Sequence, residues 1–141
     1  MNNLDNVEAF ERYDKGKILA TIRLLPDQIE QAWENLKDIQ IPKDYHDVEN
    51  VVICGMGGSA LGGRIVDSLM ANRVFVPIEV FTEYDIPNYV NSRSLVILTS
   101  YSGNTEETLN AAHEAINKKA KIFGITTGCL LYTSPSPRDR S

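Results

Sequence analysis

The sequence predicts an α/β protein: a three-layer αβα sandwich on a parallel sheet, with helices leading into it from the N-terminus. Three observations carry this. Short apolar runs recur at 51–54, 77–81, 95–98 and 121–126. They alternate with amphipathic stretches whose apolar residues fall three or four positions apart. Two of the runs also exit into loops rich in glycine or serine. Near-continuous apolar strands alternating with helices indicate a parallel sheet covered on both faces.

The N-terminal part reads as helical. Ile18, Leu19, Ile22 and Leu25 form a stripe within 14–25, the spacing of an amphipathic helix. Pro26 stands where a second helix can start, since the first turn tolerates proline. Ile29, Ala32, Trp33 and Leu36 form its stripe, and Asp27 and Glu30 lie near its favourable N-terminal dipole. A polar connector follows over 41–49. Val51-Val52-Ile53-Cys54 is the first strand, and 61–71 a helix with Ile65, Leu69 and Met70 turned inward. Pro77 to Phe81 is the second strand and Leu95 to Leu98 the third. Residues 105–119 form a helix with Leu109, Ala112 and Ile116 on one face, and Lys121 to Thr126 the fourth strand.

Composition bounds the function. The chain has 141 residues, 43% of them hydrophobic, and a net charge of −5. These values fit one globular core. The acidic balance argues against a nucleic-acid partner, which needs a basic face. No stretch approaches the roughly 18 apolar residues of a membrane span, and the acidic start lacks a secretory core, so a cytoplasmic location is expected. Cys54 and Cys129 offer neither a disulfide framework nor metal-ligand spacing.

Two loops carry the chemistry. The first, Gly55-Met56-Gly57-Gly58-Ser59, joins a strand to a helix. Glycines there let a ligand approach the backbone and the N–H groups of a helix start, which suit an anion. Gly55-x-Gly57-x-x-Ala60 also satisfies a loose dinucleotide fingerprint, with Glu79 or Glu83 as the ribose-binding acid. The second loop, Ser100-Tyr101-Ser102-Gly103-Asn104-Thr105, opens the next helix. Asn104 or Thr105 can cap that helix, and Glu106 and Glu107 fit its first turn. Capping leaves Ser100 and Ser102 unexplained, whereas hydroxyls beside free N–H groups cradle a phosphate monoester. Neither loop has a lysine, which excludes a nucleoside-triphosphate P-loop. Ligands of parallel sheets bind beyond the carboxyl ends of the strands, where both loops lie. A dinucleotide needs only the first loop, so the pair favours a sugar phosphate.

V-V-I-C-G-M-G-G-S-A-L-G-G followed by L-T-S-Y-S-G-N-T-E-E-T resembles the sugar isomerase (SIS) domain family. The Glu83-Tyr84-Asp85 segment and the lead-in L-L-P-D-Q-I-E-Q-A-W are similar to the bifunctional phosphoglucose/phosphomannose isomerases. The resemblance implies a flavodoxin-like sandwich with a five-stranded parallel sheet, two such domains per polypeptide, and a homodimer of the full-length parent. It implies that Ser100, Ser102 and Thr105 bind the phosphate and that Gly57, Gly58 and Ser59 contact the sugar. It also implies interconversion of glucose or mannose 6-phosphate with fructose 6-phosphate, without metal or other cofactor, by ring opening and proton transfer through a cis-enediol.

In the family, the base glutamate, a histidine and a phosphate-side arginine lie beyond the position of Gly128, so no catalytic residue is expected in this chain. His113 reads as a surface residue of its helix, His46 as part of the connector, and Cys54 as a small buried strand residue. The alternatives are a non-catalytic SIS sensor of a sugar phosphate, a sedoheptulose- or arabinose-phosphate isomerase of the same family, and a Rossmann oxidoreductase. The end of the chain, C-L-L-Y-T-S-P-S-P-R-D-R-S, breaks the preceding periodicity and resembles a translated sequencing adapter. The expected organisation is therefore a helical lead-in over 1–49, an incomplete SIS domain over 50–128, and a non-native tail over 129–141. The chain alone is expected to be inactive.

Overall fold

A computed structural model of the chain describes residues 12–128; Cys129 and the segment read as non-native lie outside them. The chain divides into two compact units between Ile41 and Pro42. The first holds α1 (Ile18–Arg23) and α2 (Leu25–Leu36). Asp14 starts α1 by accepting the N–H groups of Ile18 and Leu19 at 2.7 and 2.8 Å, which satisfies two donors that a helix start leaves free. The helix expected from Asp14 therefore begins four residues later. Pro26 sits in the first turn of α2 as expected.

The second unit is a four-stranded parallel sheet of β1 (Asn50–Gly55), β2 (Ile78–Phe81), β3 (Ser94–Ser100) and β4 (Lys121–Thr126), in the order β2-β1-β3-β4. Each strand lies where an apolar run predicts it. A 3₁₀ turn at Lys43–His46 belongs to this unit, and its Tyr45 hydroxyl donates to the Ile122 carbonyl at 3.0 Å. Helix α3 (Gly58–Met70) joins β1 to β2, and α4 (Glu106–Asn117) joins β3 to β4. The first step across the sheet runs opposite to the later ones. Right-handed crossovers therefore put α3 on one face and α4 on the other. Val52, Cys54, Val96 and Leu98 meet Ala111 and Ala115 of α4, with Ile86 and Val90 of the β2–β3 connection completing that core.

The helices turn small residues to the sheet, which corrects the inner face expected for 61–71. On α3 the buried residues are Ala60 and Gly63, whereas Ile65 and Leu69 are exposed and Met70 is half-buried. A Cβ on Gly63 would come within 2.8 Å of Ile53, so the helix sits too close for a larger residue on that line. On α4 the inner line is Thr108, Ala111 and Ala115. Leu109 and Ala112 flank it half-buried, and Ile116 is exposed. Hydrophobicity marks the apolar half of each helix, but side-chain volume selects the line that touches the sheet.

Cys54 is buried, and burial first, then the Glu114 carboxylate, push its thiol from 9.0 up to about 11. Tyr89 is pushed up to about 12, by burial and then by Glu79. In both cases the unfolded chain loses its proton first as pH rises. Stability from Cys54 is thus complete below pH about 9 and lost as pH passes through about 11. The urea midpoint should fall across that window, and Cys54→Ala should flatten the fall while leaving the later one from Tyr89. An identical alkaline profile for wild type and Cys54→Ala would refute this account.

Candidate functional site

Strand order reverses between β1 and β3. Their chains leave the sheet side by side, with Gly55 paired to Thr99, and turn to opposite faces. Such a switch point opens a crevice beyond the carboxyl ends of the strands. A cleft of about 570 Å³ lies there, lined by Met56, Gly58, Ser59, Ser100, Tyr101 and Ile125 with Thr126 and Thr127. None of these side chains is charged. The volume falls in the range of small-ligand sites.

The glycines of the first loop divide by purpose. A Cβ on Gly55 would overlap Thr99 Oγ1, so this position serves the close approach of β1 to β3. Gly57 is the N-cap of α3 at φ 54° and ψ −124°, a conformation that favours glycine. Gly58 is different. A Cβ there would meet nothing within 4 Å and its φ is ordinary, so the chain's own packing does not require it. Its backbone stands open at the helix start.

The second loop folds around Ser100. This side chain is 2% exposed. Its Oγ accepts the Gly103 N–H at 3.0 Å and lies 2.9 Å from Thr105 Oγ1. Gly103 takes φ 74° to close the turn. Ser102 is exposed, and its Oγ accepts the Asn104 N–H at 3.2 Å. Thr105 is the N-cap of α4, yet its hydroxyl faces Ser100 instead of capping. The first amides of α4 are thereby left without a side-chain acceptor, and the positive end of the helix dipole favours an anion there.

Hydroxyl groups tie the loops together. Thr99 Oγ1 reaches the carbonyls of Cys54 and Ser59 at 3.2 and 2.9 Å. The Tyr101 N–H points to Ser59 Oγ at 3.4 Å. From the end of β4, Thr127 Oγ1 donates to the Tyr101 carbonyl at 2.6 Å, and a Cβ on Gly128 would overlap the Ser102 carbonyl. Tyr84, on the β2–β3 connection, donates its hydroxyl to Glu106 at 2.9 Å, and that bond first, then the Glu106 charge, raise its pKa. Asn110 holds the Tyr84 carbonyl at 2.8 Å.

Of the residues singled out in the sequence, Gly58, Ser59 and Ser100 line the cleft, while Gly57, Ser102 and Thr105 stand on the same two loops outside its lining. His113 and His46 are exposed on α4 and the 3₁₀ turn. Glu106 does more than favour the helix dipole, because it also holds Tyr84. Sequence reasoning missed the third contributor, Thr126-Thr127-Gly128. The signal was available, since β4 ends at the same edge as β1 and β3 and exits into two threonines and a glycine.

Residues 44–129 match the family profile described as the SIS domain. The bifunctional phosphoglucose/phosphomannose isomerase of Caldicellulosiruptor bescii is 47% identical over 104 residues, covering 74% of this chain and 31% of that protein. The enzyme of the same name from Thermoplasma acidophilum is 49% identical over 79 residues, covering 56% and 24%. The chain therefore spans about a quarter to a third of the length of these curated relatives. Among solved structures, a candidate phosphosugar isomerase of Clostridium difficile 630 superposes with a TM-score of 0.62 at 20% identity, covering 77% of this chain and 33% of that one. At that identity the likeness shows the fold alone.

Proposed function

The chain belongs to the SIS domain family, and from that premise we propose that it is the sugar-phosphate-binding part of an aldose–ketose isomerase. The substrates are glucose 6-phosphate and mannose 6-phosphate, each converted to fructose 6-phosphate. The observation that carries this is the meeting of two anion-suited loops at one switch point, linked through Ser59 and Tyr101. Relatives named as phosphoglucose/phosphomannose isomerases support the choice of sugar.

In this reading the phosphate lies against the Ser102 hydroxyl and the first amides of α4. Thr105 takes part through the hydroxyl it shares with Ser100. The sugar extends toward Gly58 and Ser59, where the missing side chain leaves room. The cleft supplies orientation through neutral donors and a helix dipole. Acid–base catalysis needs a positioned group of tuned pKa, and we assign that role to residues outside this chain in a longer, homodimeric protein.

Titration of the chain with fructose 6-phosphate, followed by amide NMR or calorimetry, tests the reading. Ser102→Ala should weaken binding about tenfold, the scale of one hydrogen bond to a charged group. Its unfolding midpoint should stay at the wild-type value, because Ser102 is exposed. Unchanged affinity would remove Ser102 from the phosphate site.

A further inference from the structure

The main chain of Tyr101 is held from both sides, its N–H by Ser59 Oγ and its carbonyl by Thr127 Oγ1. Its side chain is nevertheless 79% exposed at the cleft. A ring left in water on a fixed loop gains nothing for the fold, since its apolar surface is not buried. It is already positioned for a ligand, at little further entropy cost. Beside it stand Met56 and Ile125, the latter 55% exposed. This rim is apolar, whereas Ser59, Ser100, Thr126 and Thr127 bring hydroxyls to the same cleft.

We propose that Tyr101 is a specificity-determining residue whose ring packs against the C–H face of the bound sugar, while the hydroxyls and amides of its own loop hold the phosphate. This rests on the sugar-phosphate reading above and adds how a sugar phosphate is told from a bare phosphate. A ligand with an anionic end, hydroxyl groups and an apolar C–H face matches the rim and floor together. Inorganic phosphate matches the floor alone. Tyrosine suits such a wall because its ring gives broad rigid contact with only two torsions to fix.

The test compares wild type, Tyr101→Ala, Tyr101→Phe and Ser102→Ala by calorimetric titration with fructose 6-phosphate and, separately, with inorganic phosphate. Tyr101→Ala should weaken fructose 6-phosphate about tenfold and leave inorganic phosphate within about twofold. Tyr101→Phe should keep wild-type affinity for both, and Ser102→Ala should weaken both. If wild type binds fructose 6-phosphate and Tyr101→Ala binds it equally well, the aromatic wall is refuted and the sugar-phosphate reading stands. Equal weakening of both ligands by Tyr101→Ala would also overturn it, since the side chain would then only shape the loop. If wild type binds neither ligand, the sugar-phosphate reading itself fails and takes this proposal with it.

Discussion

Gly55→Ala should cost about 2–4 kcal/mol of folding stability and abolish fructose 6-phosphate binding. The added methyl would overlap Thr99 Oγ1 and approach the Thr99 carbonyl to 2.8 Å. Overpacking of this kind costs about 1–3 kcal/mol where the surroundings can shift. Here they cannot shift freely. Thr99 Oγ1 is committed to the Cys54 and Ser59 carbonyls, so moving it forfeits hydrogen bonding worth about another 1 kcal/mol. The same displacement would separate β1 from β3 where the cleft opens. Urea unfolding measures the cost. Thr99→Ala in the Gly55→Ala background should recover part of it by removing the overlapped atom. A Gly55→Ala protein within about 0.5 kcal/mol of wild type would show that the two strands do not need to approach this closely.

The strands were legible because they are buried on both faces and therefore read as unbroken apolar runs. Val51 to Cys54 marked β1 to within a residue at either end. The inner faces of the helices were not legible. A stripe such as Ile65 and Leu69 announces an apolar half-turn, but the distance between helix and sheet is set by Ala60 and Gly63, which a hydrophobicity pattern undervalues. The two loops could be found because glycine and hydroxyl residues at strand ends have few other purposes. Their partners could not. Thr127 and Tyr101 are 26 residues apart, and only the pairing of β3 with β4 brings them together. The bond between Tyr84 and Glu106 depends in the same way on the path of the β2–β3 connection along α4.

Ser100 and Ser102 look alike in the sequence, two hydroxyls flanking one tyrosine, yet the fold gives them opposite surroundings. Ser100→Ala should therefore destabilise the protein by about 2–3 kcal/mol, whereas Ser102→Ala should leave stability unchanged. Ser100 Oγ is the acceptor for the Gly103 N–H, which is buried, and it is the partner of Thr105 Oγ1. Truncation leaves that donor without a partner, and an unsatisfied buried group costs about 1–3 kcal/mol. The turn at Gly103, held at φ 74°, would then relax and carry the first amides of α4 out of register with Ser102. Anion binding should fall in both variants for different reasons: loss of the loop in one and loss of a single donor in the other. Thermal unfolding beside phosphate titration separates the two. A Ser100→Ala protein as stable as wild type that still loses phosphate would overturn this division and make Ser100 a direct ligand.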